Sequence, residues 1–251
     1  MRSSVVLVTL LGGCALRVAH GNGVEGSVER SLGGFDTIDN EVGVDVRIFE
    51  GPRGAVVTCD ENLLHLIRTV ILGTTLRIDV PEGTALMPTM PCVVEVGTPE
   101  LVALSTSGSG WVEAKGGWPE LREVTTSGSG GIVVSGGDFV ALEEVHVSGS
   151  GDVDVAGIGS PFLHASVSGS GKVAIGGDVD EVDLEVSGSG GVLARELTTI
   201  DADVRISGSG DIELTATGRV TGSISGSGNL TLWGDPVVDV ETSGSGDVRV
   251  E

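Results

Sequence analysis

At 251 residues and a formal charge of −22, the chain would repel phosphate polymers and anionic lipid headgroups, which argues against nucleic acid as a partner. It holds 42 Gly and no Tyr, with only four Phe and three Trp, so a core must be built from Val, Leu, Ile and Ala. Beyond the N-terminus no uncharged run reaches the roughly 20 residues of a membrane-crossing helix.

The chain opens MRSSVVLVTLLGGCALR: one Arg, an apolar run over 5–11, then Gly12-Gly13-Cys14. This is the layout of a secretory signal, too short to remain as a spanning anchor, although a buried N-terminal strand has the same composition. The segment Leu11-Gly12-Gly13-Cys14 resembles a bacterial lipobox, in which the Cys is diacylated and becomes the new N-terminus. That resemblance implies a signal peptide over 1–13 and a protein exported to the cell envelope. Its membrane contact is then only the lipid on Cys14, most simply in a bacterial outer membrane. Cleavage would remove Arg2 and take the charge from −22 to −23. Residues 14–34, Gly-rich and polar, read as a flexible tether.

From residue 35 the pattern alternates. VGVDVRIFEG, GAVVTCD, TTLRIDV and CVVEVG read as strands, with turns at Gly-Pro, Asp-Glu-Asn and Pro-Glu-Gly. ENLLHLIRTVILG has helical length, but its β-branched finish suits a strand equally. With Cys14 set aside for lipid, Cys59 and Cys92 remain in strand-like segments, as a disulfide in an oxidising envelope or as two buried thiols. The four His lack ligand spacing, so no metal site is expected.

Residues 101–251 are organised by SGSG, which begins at Ser107, Ser127, Ser148, Ser168, Ser187, Ser207, Ser225 and Ser243, in steps of 18 to 21 residues. A flexible linker keeps no such period, whereas a stack of structural units does. Aligned on SGSG, the apolar columns fall one and three residues before it (Val147 and Val145 in one repeat) and two and four after it (Val153 and Val155). All share the parity of the two glycines. Side chains alternate faces along a strand, so the glycines are expected to point inward with the valines and the serines outward. Stacked about 4.8 Å apart, eight coils would carry a serine ridge roughly 34 Å long, a candidate binding ridge. A coil of about 20 residues buries too few aliphatic side chains to fold alone, so neighbours must cover its faces. A parallel β-helix fits that period better than a propeller, whose blades need some 40 residues.

FDTIDNEVGVDVRIFEG, then PELVALSTSGSG and the recurring SGSG in valine-rich strands, resemble the head GIN domain of putative bacterial auto-transporter adhesins, over residues 35–251. The resemblance implies an all-β, single-domain, right-handed parallel β-helix on an envelope protein, with N-terminal strands over 35–100 and eight SGSG repeats over 101–251.

Catalytic chemistry finds little support. There is no G-x-S-x-G elbow, no recurring His or Asp beside a unique Ser, and no phosphate loop, so neither a catalytic residue nor a cofactor is expected. GSGDVDV suggests calcium repeats, but their period is nine, not 20. Two acidic pairs would adjoin in the stack, Glu123 with Glu144 and Asp183 with Asp203, as a cation site or a solvated acidic face. Trp111, Trp118 and Trp233 either stack on sugars or close the ends of the core. The reading is a binding, adhesion or scaffolding protein whose partner is a cell-surface glycan or an envelope protein. The other class is a polysaccharide-active β-helix enzyme, which would need a cleft with convergent acids and a base.

Overall fold

The computed structural model describes residues 6–9 and 15–251, with side chains from residue 16 onward. The described residues contain strands and turns but no helix, arranged as a β-solenoid of about 7 turns with coils of ~20 residues. Each valine-rich half-repeat alternates buried and exposed residues, so each makes one strand, and identical neighbours above and below complete its ladder.

Two parallel sheets run the length of the stack. The first pairs Thr37–Asn40, Ala103–Thr106, Glu123–Thr126, Glu144–Gly149 and Phe162–Gly169, then continues to Val237–Gly244. The second pairs Asp45–Glu50, Val112–Lys115, Ile132–Ser135 and Asp152–Ile158, and ends at Val248–Val250. Lys172–Gly188 and Gly191–Gly208 each contribute to both sheets, with register shifts where the chain turns between them. The register is repeat on repeat: Ser148 lies opposite Ser168, Ser168 opposite Ser187, and Ser187 opposite Ser207. Inside, the column Leu104, Val124, Val145, Ala165, Leu184 and Val204 is buried throughout.

The N-terminal end is built differently. Thr75–Asp79 joins the first sheet in parallel but is itself paired antiparallel with Arg68–Leu72. Val93–Thr98 joins the second sheet and pairs antiparallel with Gly54–Asp60. ENLLHLIRTVILG is not a helix: residues 61–66 are turns, followed by the strand Arg68–Leu72. Its Leu63, Leu66 and Ile67 are buried and plug the open end of the core. The antiparallel strands blunt an edge that would otherwise offer free backbone groups to another chain.

The expected tether over 14–34 is corrected here. Ala15–His20 pairs in parallel with Thr84–Met87, and Glu25–Arg30 pairs antiparallel with Gly54–Asp60, so both stretches are bound to the cap. Their polar sequence misled because Glu25–Arg30 is an edge strand with mostly exposed side chains, held by backbone bonds that leave no apolar signature. Val6–Thr9 pairs antiparallel with Ala15–His20.

Candidate binding surface

The SGSG corner repeats one backbone arrangement. The first glycine's carbonyl accepts two amide donors from the next coil: Ser170 N–H at 2.8 Å and Gly171 N–H at 3.1 Å both reach the Gly149 oxygen. Ser189 and Gly190 do the same to Gly169, both at 2.9 Å, and Ser245 and Gly246 to Gly226. Forking two donors onto one carbonyl requires the coils to approach closely at this corner. From Gly149 onward the first glycine of each motif holds a positive φ, +127° at Gly169 and +124° at Gly188. A Cβ on Gly169 would overlap the Gly149 carbonyl oxygen, and one on Gly171 would overlap the Gly151 oxygen and press on Val147.

This corrects the expectation that both glycines point inward with the valines. In the repeats before the last, the second glycine of SGSG is buried and the first only half-buried. What excludes a side chain is chiefly the coil before it along the stack, rather than the core. The serines do face out: of the ridge positions, Ser107, Ser127, Ser168, Ser187, Ser207, Ser225 and Ser243 are exposed and Ser148 is half-buried.

The acidic residues that raised the question of metal have local duties. Asp152 accepts the Lys172 amide at 2.9 Å, Asp211 the Asn229 amide at 2.9 Å, and Asp45 the Trp111 amide at 3.0 Å. Asp152 and Asp211, each directly after SGSG, thus cap a backbone N–H of the following coil, as Asp45 does from the first coil. Asp183 does lie opposite Asp203, and Arg205 relieves their repulsion, at 3.1 Å from the first and 2.6 Å from the second. Glu123 lies opposite Glu144, followed in the same column by His164 and Asp183, themselves 3.4 Å apart. Among the described residues no group of three or more His, Cys, Asp or Glu gathers in ligating geometry.

Two of the surface clefts bring acids beside a basic residue: Glu143 and Glu144 with His164 in one, and Glu181, Asp201 and Asp203 with Arg219 and Thr221 in the other. The aspartates of the second are already engaged. Asp201 accepts the Arg219 amide at 2.8 Å, and Asp203 is held by Arg205 and by the Thr221 hydroxyl at 3.1 Å. This second cleft is shallow and open to solvent.

The other candidate residues are placed as follows. Cys14 lies outside the described residues. Cys59 and Cys92 are joined by a disulfide, with Cα atoms 4.3 Å apart. Trp118 is buried in the core, whereas Trp111 is 51% exposed. Trp233 is half-buried, with the Arg195 guanidinium 4.5 Å from its ring centre.

Reading the sequence missed Asp60. It is wholly buried, accepting the Gly23 amide at 2.7 Å, the Thr89 amide at 2.8 Å and the Thr89 hydroxyl at 2.7 Å. Burial pushes its pKa up, but the bonds from Thr89, Gly23 and Met90 together outweigh that, and the net shift is downward. Asp79, nearly buried, lies between Arg68 at 2.6 Å and Arg77 at 2.9 Å. The only signal for either was an acid closing an alternating strand, GAVVTCD and TTLRID.

Known structures share this architecture. A putative lipid binding protein from Parabacteroides distasonis is 27% identical, with a TM-score of 0.81 over 93% of this chain and 99% of that one. A putative adhesin from Parabacteroides merdae is 20% identical, with a TM-score of 0.79 over 93% and 99% of the two chains. Another from Parabacteroides distasonis is 21% identical, with a TM-score of 0.78 over 93% and 100%. The two adhesins, at this identity, establish the fold alone. No curated protein sequence matches the chain. A family model described as "Putative auto-transporter adhesin, head GIN domain" matches residues 34–236, and the chain belongs to that family.

Proposed function

We propose that the protein is a non-catalytic binding or scaffolding protein of the bacterial cell envelope, exported and held at the outer membrane by lipid on Cys14. Its partner is a surface glycan or another envelope protein. The observation that carries this reading is the corner: outward serines repeat in register along one edge of a rigid stack, a surface suited to a long or repetitive partner. The lipobox resemblance supports the anchor, and family membership supports an adhesive role. The charged groups nearby are spent on neighbouring coils, which favours recognition over chemistry.

Two measurements test it. The full-length protein expressed in a bacterium should partition into detergent with the membrane fraction, and Cys14→Ser should move it to the aqueous phase as unprocessed precursor. Purified protein on beads should be retained by isolated envelopes in a saturable way and release no reducing sugar from polysaccharide. Release of sugar would favour the enzyme class, and no retention would remove the binding role.

A further inference from the structure

The position after SGSG is occupied by Gly131, Asp152, Lys172, Gly191, Asp211, Asn229 and Asp247 in seven repeats, all small or polar. In the remaining repeat it is Trp111, whose large apolar side chain is 51% exposed on an outward corner. The core gains little from it, since Val112 and Ala114 already fill the inward positions of that strand.

Its seat is specific. The indole of Trp111 lies against Gly131 in the next coil: a Cβ there would come within 2.7 and 2.8 Å of the ring's Cη2 and Cε3. The backbone beneath is tied to its neighbours. Asp45 holds the Trp111 amide, and the strand that follows, Val112–Lys115, is paired on both sides. The neighbouring coil therefore supports the indole at Gly131 while half of the side chain stays open to solvent. Ser107 and Ser109, of the same outward parity, and Ser129 in the next coil are exposed beside this corner.

We infer that Trp111 is a stacking platform for one pyranose ring of a neutral glycan, with the adjacent serine hydroxyls bonding to the sugar's hydroxyls; this rests on the binding role proposed above. The chemistry follows from the ring. An aromatic face carries partial negative charge and attracts the weakly positive C–H face of a sugar. The serines, spaced about 4.8 Å from coil to coil, match the scale of a sugar ring. The charge of −22 disfavours uronic, sialic or phosphorylated sugars, which leaves neutral ones. Trp233 offers no equivalent platform, because Arg195 covers its ring, and Trp118 is inside.

Native gels cast with laminarin, galactomannan, xyloglucan or anionic polygalacturonate provide the test. The full chain should be retarded by at least one of the three neutral polysaccharides. Trp111→Ala should weaken that association roughly tenfold or more, the cost of losing a central aromatic contact. Gly131→Val keeps the indole but displaces it, and should weaken binding similarly with an unchanged far-UV circular dichroism spectrum. Trp233→Ala should bind as the parent does. Equal retardation of parent and Trp111→Ala overturns the platform, as does retardation by polygalacturonate alone. If none of the three neutral glycans retards the parent while isolated envelopes still retain it, the platform falls and the binding role stands. If neither holds it, both fall.

Discussion

The cap, residues 15–101, which also supplies the first coil of the solenoid, and the SGSG stack, residues 102–251, solve one problem by different means. In the stack, coils are joined by backbone: one glycine carbonyl accepts two amides from the next coil, and the same bond pattern repeats from the Gly108 to the Gly226 carbonyl. In the cap no unit repeats, and the joints are particular side chains, namely the Cys59–Cys92 disulfide, buried Asp60, and Asp79 between two arginines. A stack can extend because every joint is alike, but it needs an end that is not. The difference predicts that damage in the stack acts through sterics, while damage in the cap acts through charge and covalent chemistry.

The largest effect should come from a side chain at the stacked corner. Gly169 has φ +127°, and a Cβ would overlap a carbonyl that is already bonded to two amides. Backbone strain and overpacking together put Gly169→Val at about 3–5 kcal/mol in urea unfolding. The comparison within the cap is Gly34, where a Cβ would meet nothing within 4 Å and φ is not positive. Gly34→Ala should leave stability within about 0.5 kcal/mol of the parent. A cost below about 1 kcal/mol at Gly169 would mean that the corner is not what locks the coils.

Next in size is the disulfide. It closes a span of 33 residues in the cap, and the chain-entropy model puts its contribution at about 3–4 kcal/mol. Because each coil of a solenoid contacts only its neighbours, the loss should stay local. In the Cys59→Ser, Cys92→Ser double variant, amide exchange should accelerate over 15–101 and change little over 160–215. Uniform acceleration would show that cap and stack unfold as one unit, and the two-part description would fail.

Asp60 should follow. Asp60→Ala strands the Gly23 and Thr89 donors and should cost about 2–3 kcal/mol. The pH dependence separates charge from shape. The folded pKa of Asp60 lies below its unfolded value, so its stabilisation is fully present above the unfolded carboxylate pKa of about 3.9. It is lost as pH falls through the folded value. The stability gap between the parent and Asp60→Asn should therefore be constant at neutral pH and shrink in acid. A gap unchanged down to pH 2 would mean that the ionised form of Asp60 does not matter.

The two regions were also unequally legible in the sequence. Parity along a strand was enough to place Val145, Val147, Val153 and Val155 inside the sheets and Ser168 outside, because alternation reports which face a residue is on. It does not report contacts along the stack axis, so the glycines were read as facing the core when their closest constraint is the preceding coil. In the cap, Glu25–Arg30 and Asp60 are held by backbone pairing and by amides distant in sequence, and neither leaves a periodic trace. Trp111 could be singled out as a break in its column, but its seat on Gly131 appeared only when two coils were laid together.

The smallest effect concerns the serines, and it decides what the ridge is for. Ser168 is exposed, flanked by Ser148 and Ser187 in the neighbouring coils, while the corner's forked bonds run from Ser170 and Gly171 amides rather than from any hydroxyl. Ser168→Ala keeps every backbone bond, and alanine adopts extended strand geometry readily. Its stability should therefore match the parent within about 0.5 kcal/mol in urea, far from the Gly169→Val result one residue on. A hydroxyl that contributes nothing to folding is free for a partner, so replacing Ser107, Ser109, Ser127 and Ser129 with alanine should leave unfolding nearly unchanged and still reduce retention on isolated envelopes. If Ser168→Ala instead destabilised the protein by more than about 1 kcal/mol, the serines would be a polar ladder between coils. The outward ridge would then belong to the fold rather than to recognition.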